Sequence, residues 1–208
     1  MKVLVACEFS GVVRDCFIAM GHDAISCDLL DTEVPGPHIR GDCIPVLYEE
    51  KGWDLVIAHP PCTYLSSSGL HWNKKNPERA IKTEKALEFI ELIWKAPVNK
   101  MCLENPVGCI NTKLSFMPKP QYIQPYEFGE NASKKTGLWL RGLPQLVPTD
   151  KIPGRMVEKD GKIYERWANQ NDAGQSMLGG GQGKERSVTY FGIAYAMADQ
   201  WGETYGVN

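Results

Sequence analysis

Short apolar runs alternate with segments of helical spacing along this chain, and that alternation restricts the fold more than any other feature. Val3–Cys7, Asp54–Ala58 and Met101–Leu103 are apolar almost throughout. A strand without polar alternation is buried on both faces, as in a parallel sheet. Between them, Val12, Val13, Cys16, Phe17 and Met20 share helical spacing and stop at Gly21. Pro77 to Lys95 forms a second, longer amphipathic pattern. Asp23–Cys27 reads as another strand ending in Asp28, and His38–Asp42 as a short extended segment after the Pro35-Gly36-Pro37 loop. The β-α-β-α order predicts an α/β fold, with a mostly parallel sheet and helices on both faces. Gln121–Gln124 and Gly137–Leu140 read as strands closing the sheet, and Arg186–Trp201 as a final helix.

With 208 residues, the chain reads as one domain. Residues 1–141 and 186–208 form its body. Residues 142–185, rich in Gly, Pro, Lys and Asp, read as a small irregular insertion, with Gly179–Gly183 close to low complexity. Net charge is −2, so no global basic field marks a nucleic-acid partner, although a local basic groove remains compatible with it. Met1–Val5 reads as a strand rather than a signal peptide, and no apolar run approaches the roughly 20 residues of a membrane helix. The seven cysteines form no CxxC pair, which argues against a zinc ribbon or a disulfide framework and fits a reducing cytoplasm. No metal ligand set is expected.

The chemistry is concentrated at strand ends. His59-Pro60-Pro61-Cys62 follows one apolar strand. Two prolines fix φ and remove two amide donors, so they end the strand and stiffen the turn that carries the thiol. Leu103-Glu104-Asn105-Pro106 follows another, about forty residues on. Open α/β sheets bind ligands at the carboxyl ends of their strands, so Cys62 and Glu104 are expected to share one crevice. A thiolate and a carboxyl group so placed suit covalent attack on an electron-poor ring with acid assistance. A buried structural cysteine and a helix-capping acid are the plainer alternatives. Phe9-Ser10-Gly11 joins the first strand to the first helix, where a glycine admits a ligand and helix amides can hold an anion. Asp28 sits where α/β nucleotide sites place an acid on ribose hydroxyls, and Asp42 would stand beside it.

These motifs together resemble the DNA (cytosine-5) methyltransferase family, in a compact form like those encoded by phages. The similarity spans roughly residues 3–140 and 184–201. Pro60-Pro61-Cys62 resembles the family's catalytic loop and Leu103-Glu104-Asn105 its Glu-Asn motif. The resemblance implies a Rossmann-like S-adenosylmethionine-dependent methyltransferase fold and a bacterial host cytoplasm. It implies Cys62 as nucleophile and Glu104 as the acid, protonated or sharing a proton with the base. Phe9, Ser10, Gly11, Asp28, Asp42 and Pro60 are expected around S-adenosylmethionine. Ser66, Asn105, Lys134 and Lys135 are expected toward the substrate. Lys134 and Lys135 stand where the family carries an arginine, whose bidentate contact lysine cannot reproduce. Arg186-Ser187-Val188 resembles the closing motif without its usual Gly-Asn.

The family's separate recognition domain is reduced here to residues 142–185. Arg155, Lys162 and Arg166, with Lys159, Tyr164 and Trp167, would supply phosphate contacts and base stacking in a minimal target-recognition region. An ordinary solvated hairpin is the alternative. The expected partner is DNA with a cytosine target. The same chemistry on RNA or a free cytosine nucleotide, and a non-catalytic nucleic-acid-binding role, remain open.

Overall fold

In a computed structural model, residues 1–49, 52–177 and 188–202 are described. Five parallel strands open the fold: β1 (Lys2–Ala6), β2 (Asp23–Asp28), β3 (His38–Arg40), β4 (Leu55–Ala58) and β5 (Met101–Pro106). Two more close it: β6 (Gln121–Ile123) and β7 (Thr136–Arg141), the latter antiparallel to both its neighbours. The sheet order is β3-β2-β1-β4-β5-β7-β6. This is a Rossmann-like arrangement, mostly parallel with one reversed strand. The chain leaves β1 toward one edge and returns to β4 on the other side of β1, which opens a crevice at their carboxyl ends.

Helices cover both faces, and strand alternation divides the core between them. Val3 and Val5 point to the face covered by α1 (Val12–Ala19) and α6 (Phe191–Gly202), against Val13, Phe17, Ile193 and Met197. Leu4 and Ala6 point to the other face, covered by α2 (Cys43–Glu49) and α4 (Pro77–Lys95), against Leu47, Leu87 and Ile90. Short helices α3 (Ser67–Leu70) and α5 (Ile110–Lys113) follow the strand ends of the crevice. Asn76 caps α4 by accepting from the Arg79 amide at 3.1 Å, with Pro77 at the first helical position. Among the described residues, no helix is long and apolar enough to cross a membrane.

Four features differ from the sequence reading. First, β5 runs through Glu104 and Asn105 to Pro106, instead of turning there. Pairing with β7 (Glu104↔Leu138, Pro106↔Thr136) overrides the Asn-Pro turn signal. The parallel pairing with β4 has ended by Leu103, so the missing proline amide interrupts no ladder on that side. Second, residues 142–185 are not wholly irregular. They contain a hairpin of β8 (Arg155–Lys159) and β9 (Lys162–Arg166). Asp160 and Gly161 take left-handed φ of 52° and 71°, the primed turn an Asp-Gly pair favours. Third, α2 is absent from the sequence reading, although Asp42 caps it by accepting from the Ile44 amide at 2.9 Å. Fourth, the last helix begins at Phe191, five residues later than expected. Arg186-Ser187 and the Gly179–Gly183 run lie outside the described residues.

Candidate active site

The first strand end is built around an acid that the sequence reading passed over. Glu8 is buried, and its carboxylate accepts from the amides of Val13 at 2.7 Å and Arg14 at 3.3 Å. It thereby caps α1, where Gly11 has no side chain to do so. The amides expected to hold a ligand anion are therefore engaged within the chain. Burial pushes the Glu8 carboxyl up, against the opposing charge of His59 and the bonds from the two amides. Gly11 takes a φ of 77°, and an added Cβ would lie 2.5 Å from Arg14 Nη2 and 2.7 Å from Val34 Cγ2. Only glycine fits there. The buried Ser10 hydroxyl donates to Glu8 at 3.4 Å, and the Phe9 carbonyl accepts from the Glu33 amide at 2.8 Å.

Arg14 closes this turn from behind and was invisible as a functional candidate. Fully buried, it pairs with Asp15 and donates to Ser26, Thr32 and the carbonyls of Val34 and Pro35. It holds the loop after β2 over the first turn. Helical spacing alone reads such an arginine as a solvated charge. Asp28 accepts from the Leu30 amide at 2.9 Å, and its carbonyl accepts from the Gly41 amide at 2.8 Å. The half-buried Asp28 and exposed Asp42 therefore stand at adjoining strand ends, beside the first turn. A cavity of about 520 Å³ lies next to Ser10, lined by Val12, Val34, Phe191 and Tyr195 among others.

The second half of the site is the β4–β5 end. Ala58 pairs with Leu103, so the residues that follow, His59 and Glu104, are neighbours. His59 Nδ1 lies 3.0 Å from Glu104 Oε2, with the two side chains 7% and 12% exposed. Thr189 Oγ1 stands 3.5 Å from the same nitrogen. Among the described residues, the buried His59 Nε2 and Asn105 Oδ1 have no hydrogen-bond partner. Burial pushes the Glu104 carboxyl up, but the hydrogen bond from His59 and the charges of Lys134 and His59 outweigh it. The carboxyl is held below its ordinary range.

Of the seven cysteines, only Cys62 is exposed. Its carbonyl accepts from the Leu65 and Ser66 amides at 3.0 Å each, which makes a tight turn after the two prolines. Ser66 then bridges to Gly108, where an added Cβ would meet the Leu65 carbonyl oxygen at 2.0 Å. Gly108 is thus required for the β5–α5 loop to support the Cys62 turn. Asn105 is buried and donates to the Pro60 carbonyl at 2.8 Å, so it braces the proline turn from inside instead of standing exposed toward a substrate. Lys134 reaches Glu104 electrostatically, whereas Lys135 lies 4.6 Å over the Tyr122 ring at the sheet edge. Consecutive residues before β7 point to different places, and the sequence could not separate them.

The hairpin side chains are held mostly by their own segment. Arg155 pairs with Asp172 and donates to the Gln170 carbonyl; Arg166 donates to the Asp172 and Glu165 carbonyls. Trp167 is 7% exposed and stacks on Tyr126 with centroids 3.8 Å apart. Lys162 is exposed at the start of β9.

The crevice thus presents an exposed thiol on a braced turn, a carboxyl group paired with His59 one strand away, and two acids at the neighbouring strand ends. No protein-family model matches the chain, and no curated protein matches it. Among solved structures, one similar in fold is the crystal structure of a candidate DNA modification methyltransferase encoded within an E. coli prophage. It superposes with a TM-score of 0.49 at 14% identity, over 74% of this chain and 52% of that one. Another is WbdD in complex with a kinase inhibitor, with a TM-score of 0.41 at 11% identity, over 88% and 47%. This chain spans about half the length of the structures it matches.

Proposed function

We propose that this protein transfers a methyl group to carbon 5 of cytosine in DNA through a covalent adduct on Cys62. The observation that carries the reading is the pairing of the exposed Cys62, on its proline-braced turn, with Glu104 on the adjoining strand. The sequence resemblance supplies the reaction class; the geometry supports the division of labour.

The first half of the crevice fits S-adenosylmethionine. Its acids, Asp28 and Asp42, suit ribose hydroxyls and an adenine amine. Glu8 already occupies the α1 amides at 2.7 and 3.3 Å, which leaves those two donors closed to a phosphate and favours a nucleoside without one. When bound, S-adenosylmethionine supplies an electrophilic methyl group. Carbon 5 of cytosine is too poor a nucleophile to take it unaided. Attack of the Cys62 thiolate on carbon 6 would form an S–C bond and move the ring's double-bond electrons toward carbon 5, which would take the methyl carbon as its bond to the sulfonium sulfur breaks, that electron pair staying on sulfur as a neutral thioether leaves. A base removes the proton from carbon 5, the double bond re-forms, and the thiolate leaves. Glu104 and Lys134 would act at the ring's polar edge. The carboxylate accepts from the exocyclic amine, and a proton entering with the substrate or from the His59 side neutralises N3 as charge develops. In duplex DNA the cytosine leaves the stack, at a cost of a few kcal/mol.

Incubation with labelled S-adenosylmethionine and duplex DNA, RNA or a cytosine nucleotide, followed by digestion, tests this directly. Label is expected on 5-methylcytosine from DNA, and Cys62→Ala is expected to abolish it while cofactor binding persists. Label on an adenine, or transfer that survives Cys62→Ala, would overturn the mechanism. Label confined to RNA or the free nucleotide would move the same chemistry to that substrate.

A further inference from the structure

A group of cations that follows the Cys62 turn lies outside every segment that the sequence marked for nucleic acid. From Cys62 to Lys85 the chain carries five, Lys74, Lys75, Arg79, Lys82 and Lys85, against two acids, Glu78 and Glu84, in a protein of net charge −2. The acids cancel them only in part. Glu84 lies 3.9 Å from Lys113, and Glu78 sits in the first turn of α4, one turn before Lys82 on the same side. Along α4, Arg79, Lys82 and Lys85 recur every third residue and share one side; Glu84, Glu88 and Glu91 form a separate row.

Of the aromatic residues among these cations, Trp72 is exposed and Tyr64 half-buried. Arg79 lies 5.0 Å from the centre of the Tyr64 ring and Lys82 lies 5.8 Å from it, only two residues from the nucleophile. Trp72 is 52% exposed, with Lys75 at 5.8 Å over its ring. The turn that carries them is anchored. Arg79 donates to the carbonyls of Thr63 at 2.8 Å and Gly69 at 3.2 Å. The Asn73 amide donates to Thr83 Oγ1 at 2.9 Å, and that hydroxyl donates to the Tyr64 carbonyl at 3.0 Å. About half of Trp72 is left to solvent beside lysines, and cations interleaved with such aromatics match a phosphodiester chain and its bases.

We propose that the Tyr64–Lys75 turn and the cationic side of α4 form the docking surface for the sugar-phosphate backbone of a nucleic acid, placed to deliver a base to Cys62. This rests on the methyltransferase reading above, but it concerns where the strand lies rather than what happens to the base. Every cation–phosphate contact releases counterions, so binding falls with salt in proportion to the number of contacts.

The test measures binding of a fluorescent duplex DNA and a matched single-stranded RNA across a salt series. The variant Trp72→Ala/Lys74→Ala/Lys75→Ala/Lys82→Ala spares Arg79, which holds two carbonyls. It should reduce the salt slope by about one unit per lost lysine contact and weaken low-salt binding. The hairpin variant Arg155→Ala/Lys162→Ala/Arg166→Ala should change the slope by at most about the one unit that Lys162 can contribute. Calorimetry with S-adenosylmethionine should give wild-type affinity for both. Lys82→Glu, a single change at an exposed helix position, is a second probe and should weaken binding severalfold at low salt. A wild-type slope in both the quadruple variant and Lys82→Glu, with DNA still bound, overturns the surface and leaves the DNA reading intact. A slope that falls only on RNA supports the surface and moves the substrate. A wild-type protein that binds neither polymer overturns both.

Discussion

Residues 63–85 and 152–172 draw on similar cations and aromatics; each holds an arginine on backbone carbonyls, Arg79 and Arg166, but they place their tryptophans differently. In the hairpin segment, Trp167 is buried against Tyr126, Arg155 pairs with Asp172, and Arg166 donates to backbone carbonyls. In the segment after Cys62, Trp72 and Tyr64 lie open or half-open beside Lys75 and Lys82. Composition counts both as basic and aromatic. What separates them is whether the fold brings an internal partner to each group, and for Arg155 that partner comes from seventeen residues away. A charge held by its own chain is a structural device; one left facing solvent beside the exposed Cys62 is open to a ligand.

The sharpest test of that contrast is a pair of tryptophans. Trp167→Ala removes a buried, stacked ring and should destabilise by about 3–5 kcal/mol in denaturant unfolding. Trp72→Ala should fall within about 0.5 kcal/mol of wild type. Equal effects would mean that Trp72 belongs to the core and that the two segments are used alike.

The two kinds of ion pair extend the comparison. Glu104 is held below its ordinary range by His59 and Lys134 despite its burial. A carboxyl group depressed in the folded state contributes stability above its unfolded value of about 4.3, and that contribution is lost as pH falls through the folded value. Glu8 is raised, so its ionisation opposes folding and its effect has the opposite sign. The difference in unfolding free energy between wild type and Glu104→Gln cancels the Glu8 contribution. It should favour wild type more at neutral pH than in acid, narrowing below about pH 4.3. A pH-independent difference would remove the argument that Glu104 is held below its ordinary range. The smallest effect belongs to the exposed Arg155–Asp172 pair. Arg155→Ala should change stability by about 0.2–1 kcal/mol, less in high salt. A larger, salt-insensitive loss would show that the hairpin depends on that pair.

Much of the framework was legible because its information is local. Short continuous apolar runs and a 3.6-residue period separate strands from helices without tertiary contacts, so β1, β2, β4, α1 and α4 were readable within a residue or two. The Asp160-Gly161 turn carried an equally local signal for the hairpin, obscured because β8 and β9 are largely exposed and lack an apolar face. The short α2 was hidden between turn residues, although Asp42 capped it. The proline turn also identified Cys62, because two fixed φ angles need no partner.

The sequence by itself therefore determined the alternation of elements, the sheet they build, and the strand ends where a thiol and acids emerge. Only the tertiary structure decided what each polar group does there. It set Glu104 within a strand against His59, turned Asn105 inward to Pro60, gave the α1 amides to Glu8, and sent Lys134 and Lys135 in different directions. Hydrogen bonds and ion pairs act over about 3 Å, and the partners meeting at that distance are 45 residues apart for both His59–Glu104 and Asn105–Pro60. Strand register and the antiparallel pairing of β7 set those distances, so no local pattern in the chain can state them.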